Sequence, residues 1–226
     1  MRPEEADTLA NWVMGLELER GAVCLNVGSS TRDFRERLQP HIHERFIKPL
    51  EQSGIRFIHC DMKAAEGVDE VGDILDPAFR SKLKKYKAKV LVCSNLLEHL
   101  VDPREFARAC GELVVEGGHG LFTVPSSYPY HPDPIDTLLR PKPQEIVAML
   151  PGWTEVEMAE IESGNFWDDL KKAGNPWIGL ARHTARVALP MYRRRQWPAA
   201  ASRLRWLVRP YVQSMVLLKK PPVAPE

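Results

Sequence analysis

One proline-rich stretch gathers several side chains that can move a proton. SSYPYHPDPIDTLLRP, residues 126–141, carries Tyr130, His131, Asp133 and Asp136. A phenol, an imidazole and a carboxylate are all side chains that serve as general bases toward a hydroxyl or a protonated amine. His99, in the run NLLEHL, is a further candidate. Each has a plainer alternative. The stretch also reads as a stiff surface loop, and His99 as a helix-start residue packed beneath a ligand. A second set suits a nucleotide. Asp61 follows an apolar run, where a carboxylate can accept from the two hydroxyls of a ribose. It reads equally as a turn cap. Asp73, after Gly72, can accept from an adenine amino group. Gly28, followed by Ser29 and Ser30, lets a ligand come close to the backbone.

These residues converge only if the right elements present them. Residues 22–27 (AVCLNV) form a short run that is mostly apolar on both faces, which suits a buried parallel strand ending at Gly28. Further strands are expected over 55–60, 89–94, 120–125, 154–161 and 212–219, with a short run at 68–71. Helical spacing is expected over 3–19, 43–50, 77–86, 104–115 and 143–150. Pro40 and Pro49 break the segment after Ser30, and Gly117-Gly118 close the helix before the fourth long strand. Strands alternating with helices predict an α/β fold, a mostly parallel sheet covered on both faces. In such a sheet the strand ends at Gly28, Asp61, Ser94-Asn95 and Pro125-Ser126 meet along one edge, where a crevice forms.

Composition narrows the class without naming a partner. The 226 residues are 44% hydrophobic and 27% charged, as in an ordinary globular chain, and the net charge is +1. Cys24, Cys60, Cys93 and Cys110 make no CxxC pair, so buried reduced thiols are expected, with no disulfide framework and no metal. No apolar run reaches spanning length, and MRPEEADTLANW is too acidic and polar for a secretory leader; a cytoplasmic protein is expected. One segment breaks the rhythm. Residues 165–210 carry ten Lys or Arg against Asp168 and Asp169, a local charge of +8, so the rest of the chain carries −7. Trp167, Trp177, Trp197 and Trp206 lie among these cations. A helical basic insertion over 162–211, within a single domain, is expected before the last strand. It reads either as a lid and docking surface that touches an anionic acceptor or an anionic membrane at its inner face, or as a cap with core tryptophans and a solvated basic face. No nucleic-acid motif accompanies it.

Taken in order, the motifs resemble class I S-adenosylmethionine-dependent methyltransferases, in the branch typified by ubiquinone-biosynthesis enzymes. The residues that carry the likeness are Asn26-Val27-Gly28-Ser29-Ser30, Asp61, Gly72-Asp73, Ser94 to Leu100 with its Leu-Glu-His, and Glu116-Gly117-Gly118 before LFTVP. The resemblance covers residues 20–161 and the final strand. It implies a Rossmann-like seven-stranded sheet and S-adenosylmethionine held by Asn26, Gly28, Ser29, Ser30, Asp61, Gly72, Asp73 and Asn95. It further implies methyl transfer to a small-molecule, glycan or lipid-linked acceptor, with His131, Tyr130, Asp133 or His99 as the base. Two departures stand out. Asn26 replaces the family's acid, which organises the turn and helps hold the methionine amino group, and Ser29-Ser30 replaces a Gly-rich run. They keep open a cofactor-binding or scaffold protein that does no chemistry. A dinucleotide oxidoreductase is disfavoured, since GSSTRD lacks the G-x-G-x-x-G spacing.

Overall fold

The computed structural model describes residues 1–131, 135–188 and 197–222, leaving out the side chains of Pro198 and Ala199. Asp133 and the triplet Arg193, Arg194 and Arg195 lie outside the described residues.

The strands are β1 Val23–Val27, β2 Arg56–Asp61, β3 Glu70–Val71, β4 Ala88–Ser94, β5 Val114–Ser127, β6 Thr154–Glu162 and β7 Val212–Lys219. They form one seven-stranded sheet in the order β3-β2-β1-β4-β5-β7-β6. All neighbouring pairs are parallel except those made by β7, which runs antiparallel to both β5 and β6. All five residues of β1 are buried, as a central parallel strand requires. Its side chains alternate between two apolar layers. Val23, Leu25 and Val27 join Phe79, Leu83 and Phe106 on one face. Cys24 joins Leu9, Val13, Phe46 and Leu50 on the other. The strand order reverses between β1 and β4, and a crevice opens at such a switch point beyond the carboxyl ends.

The expected α/β architecture is present, with four local differences. The first helix is Pro3–Met14 and stops five residues early, because the chain turns at Gly15 and passes through left-handed Glu17. The helix after Ser30 is in pieces, as Pro40 and Pro49 imply, yet its segments run almost unbroken over 34–52 and pause only at Gln39. The helix expected over 104–115 is Pro103–Gly111, and Val114 and Val115 already belong to β5. Gly117 and Gly118 therefore lie within a bent strand. Gly117 N–H donates to the Lys220 carbonyl at 3.1 Å, and Lys220 N–H to the Gly118 carbonyl at 2.8 Å. The helix expected over 143–150 ends at Val147.

Between β6 and β7 lie the helices Phe166–Lys172, Pro176–Ala188 and Trp197–Arg203 and the turn Leu204–Leu207. Phe166, Trp206 and Tyr211 form a small core there. All four cysteines are buried and free. Among the described residues, no helix is long and apolar enough to cross a membrane.

Candidate active site

The loop after β1 is held from three sides. Gly28 has φ +72°, and a Cβ there would come within 2.8 Å of Leu96 Cδ2. Its N–H and that of Ser29 donate to the Cys60 carbonyl at 2.9 and 3.1 Å. Asp61 accepts from Ser30 N–H at 2.9 Å and from Lys63 N–H at 3.0 Å. The turn-capping reading of Asp61 is thus realised, and each carboxylate oxygen keeps a second lone pair for another donor. Buried Arg35 closes the third side. Its guanidinium donates to the carbonyls of Ser29, Ser30 and Gly67 at 2.9, 2.7 and 2.7 Å. Ser29, also buried, turns its hydroxyl to the Ser30 carbonyl at 3.3 Å.

Four of the expected cofactor residues have partners or packing roles within the chain. Asn26 does not reach the turn. It lies inside β1, and its amide donates to His59 Nδ1 on β2 at 3.1 Å. Burial, reinforced by Arg35, holds the His59 imidazole down to about 4, so its ring accepts as a neutral partner. Asn95 spends its amide on Glu5 of the first helix, at 2.8 and 3.1 Å. Gly72 is explained by packing, because a Cβ there would meet the Phe79 ring at 2.5 Å. Asp73 makes an Asx turn, accepting from Leu75 N–H at 2.9 Å.

Glu5 was not singled out in the sequence, where it reads as an ordinary acid in a first helical turn. It is fully buried and accepts from Ser94 Oγ at 2.8 Å, Thr123 Oγ1 at 2.5 Å and the Arg2 N–H at 3.0 Å, besides Asn95. One carboxylate thereby ties the first helix to the ends of β4 and β5.

Beyond these ends opens a cleft of about 610 Å³, lined by Gly28, Ser30, Asn95, Glu98, His99, Tyr128 and His131 among others. Glu98, fully buried, has no hydrogen-bond partner among the described residues on either carboxylate oxygen. Burial pushes its carboxyl up to about 7. His99 donates from Nδ1 to the Ile135 carbonyl, and its Nε2 lies 3.8 Å from Glu98 Oε1. The His131 ring stands edge-on to those of His99 and Tyr128, with centroids 5.2 Å apart in each case. Burial pulls the His131 imidazole below its ordinary range.

Of the expected bases, the fold brings His99 and His131 together in the cleft. Tyr130 is 45% exposed and does not line it. Asp136 is not available as a base. Its buried carboxylate takes both arms of Arg140, at 3.0 and 2.6 Å, and the N–H groups of His131 and Leu138. Burial alone would raise it, but the Arg140 hydrogen bonds hold it down to about 2.

No protein-family model and no curated protein matches the chain. Solved structures do. Coclaurine N-methyltransferase bound to N-methylheliamine and SAH is 13% identical over 94% of this chain and 70% of its own, with a TM-score of 0.53. The fold is that of class I S-adenosylmethionine-dependent methyltransferases. Haemonchus contortus phosphoethanolamine N-methyltransferase 2, in complex with S-adenosyl-L-methionine, is 10% identical over 96% of this chain, with a TM-score of 0.50; the chain spans 52% of its length. The [4+2]-cyclase SpnF is 14% identical over 96% of this chain and 81% of its own, with a TM-score of 0.53. The same fold therefore carries more than one chemistry, and the site has to decide which.

Proposed function

We propose that the protein is an S-adenosylmethionine-dependent methyltransferase acting on a small-molecule, glycan or lipid-linked acceptor, in the ubiquinone-biosynthesis-like branch. The observation that carries this reading is the left-handed Gly28 loop at the switch point of the sheet, opening into a cleft of nucleoside size with an unpartnered carboxylate inside it. The residues fit the cofactor. Gly28 leaves room that a Cβ would take, and Asp61 retains lone pairs for ribose hydroxyls. Gly28, Ser30 and Asp61 would hold it. The bound sulfonium supplies an activated methyl group, so the chain's own task is to hold an acceptor in line and receive its proton. Glu98, His99 and His131 line the cleft, and this supports their having that task.

The second reading, a binding or scaffold protein on the same fold, is favoured by one observation. Asn26 is spent on His59, and the N–H groups of Gly28, Ser29 and Ser30 are already satisfied internally. Calorimetric titration with S-adenosylhomocysteine, then transfer from labelled cofactor into cell extract, separates the two. Saturable binding with transfer supports the enzyme; binding without transfer, or no binding, supports the scaffold reading. Asp61→Ala should weaken cofactor binding by about 1.5 to 3 kcal/mol through lost charged hydrogen bonds. Unchanged affinity would refute the ribose assignment.

A further inference from the structure

We propose that Glu98, His99 and His131 bind a divalent transition-metal ion of the zinc class, with open coordination positions toward the cleft. One ligand atom from each of the three lies within 4.8 Å of the others. Tetrahedral ligands about 2.0 to 2.1 Å from zinc stand roughly 3.4 Å apart, so small side-chain rotations close the set.

Three independent features point to a cation here. The first is the orphaned carboxylate. Glu98 has zero exposure, and neither oxygen receives a hydrogen bond from the described residues. A buried acceptor with no donor costs folding energy that a ligand can repay. The second is the tautomer of each histidine. His99 Nδ1 faces the Ile135 carbonyl. His131 Nδ1 lies 3.3 Å from both the Pro129 carbonyl and Asp136 Oδ2. All three partners are acceptors, so each Nδ1 carries the proton and each Nε2 keeps its lone pair. Metal-bound histidines are oriented by this kind of outer hydrogen bond to a carbonyl or carboxylate. The third is the rigidity of that outer shell. Asp136 is fixed by Arg140, and Thr137 N–H holds the Glu98 carbonyl at 2.9 Å.

The donor set selects the ion. Two imidazoles and one carboxylate suit zinc, iron, cobalt or nickel better than magnesium or calcium, which take oxygen ligands. Three protein ligands with an open place are the pattern of catalytic sites, whereas structural zinc sites close with four. The expectation of no metal rested on the cysteines, which are buried free thiols; the histidines and Glu98 make a different set. The ion's role would be to take an acceptor hydroxyl oxygen and lower its pKa. That role rests on the methyltransferase reading; the binding does not.

The test uses the full chain, stripped with EDTA and titrated with zinc, and separately with cobalt, in the absence of cofactor. One equivalent should bind, and cobalt should show the visible absorption of a nitrogen-and-oxygen-ligated ion. Glu98→Gln and His131→Ala should each weaken binding by at least a hundredfold. His41→Ala, elsewhere in the same cleft, should leave it unchanged. Melting in EDTA checks that the variants fold, and the cobalt spectrum of the unaltered chain stands without them. No stoichiometric binding would overturn the proposal, and so would binding that neither variant weakens. Titration of S-adenosylhomocysteine in EDTA keeps the cofactor reading separate, since it can succeed where the metal fails, or the reverse.

Discussion

At the scale of single residues, the pairing of Asn26 with His59 has a consequence in pH. Asn26 can only donate through Nδ2, so His59 Nδ1 must be unprotonated in the folded chain. Burial, with Arg35 nearby, keeps that imidazole neutral down to about 4, against an ordinary value of 6.5. The unfolded chain binds this proton first as pH falls. Stability from the site is therefore complete above 6.5 and is lost progressively toward 4. The full shift corresponds to at most ~3 kcal/mol. Thermal melts between pH 7 and 4 should show the loss, and His59→Gln, which can still accept from Asn26, should flatten that part of the curve. A parallel fall in the variant would mean that other groups carry it.

At the scale of elements, the first helix works as a clamp on the sheet edge. Glu5 collects donors from Ser94, Asn95 and Thr123 at the ends of β4 and β5. Removing the carboxylate strands those donors in the interior, at a cost of about 1 to 3 kcal/mol for each one left without a partner. Glu5→Ala should lower the melting temperature more than Glu4→Ala, which removes a neighbouring acid from the same helical turn; equal shifts would show that the network carries little. This clamp also shows what could be read from the sequence. The central strands were legible because a run such as VCLNV is buried on both faces and nothing else explains it. The boundary at 111–118 was not, because Glu116-Gly117-Gly118 has the composition of a turn while backbone bonds to Lys220, just past β7, hold it beside the sheet. In the site, Gly28 and Asp61 announced themselves by following strands. Glu5 and Arg35 did not, since their roles depend on contacts between distant elements. His131 meets Glu98 and His99 only because the chain after β5 doubles back, with Ile135 and Thr137 bonded to the 98–99 turn.

At the scale of the molecule, charge is divided. The 165–210 segment holds +8 and the rest −7. The structure divides its tryptophans as well. Trp206 is core, packed near Tyr211 with Arg209 over its ring at 4.9 Å. Trp177 is 69% exposed and Val208 86%. Several contacts tie the segment to the body, among them Arg209 Nε donating to Ser127 Oγ at 3.1 Å. Arg2 bonds Asp169 at 2.9 Å, and Tyr211 bonds the same carboxylate at 3.0 Å. Lys172 borders the cleft mouth. We propose that exposed Trp177 and the arginines of this segment meet an anionic membrane and bring a lipid-linked acceptor to the cleft. An exposed tryptophan sits favourably at headgroup level, and the arginines add attraction that salt screens. In vesicle co-sedimentation the chain should pellet with anionic lipid at low salt, release as salt rises, and bind less with Trp177→Ala or with Arg182 and Arg186 both changed to Ala. None of those residues is among the described residues that line the cleft, so cofactor affinity should be unaffected in the same variants. Equal recovery in the supernatant with neutral and anionic vesicles would leave the segment as a cap over the cleft and point to a diffusible acceptor.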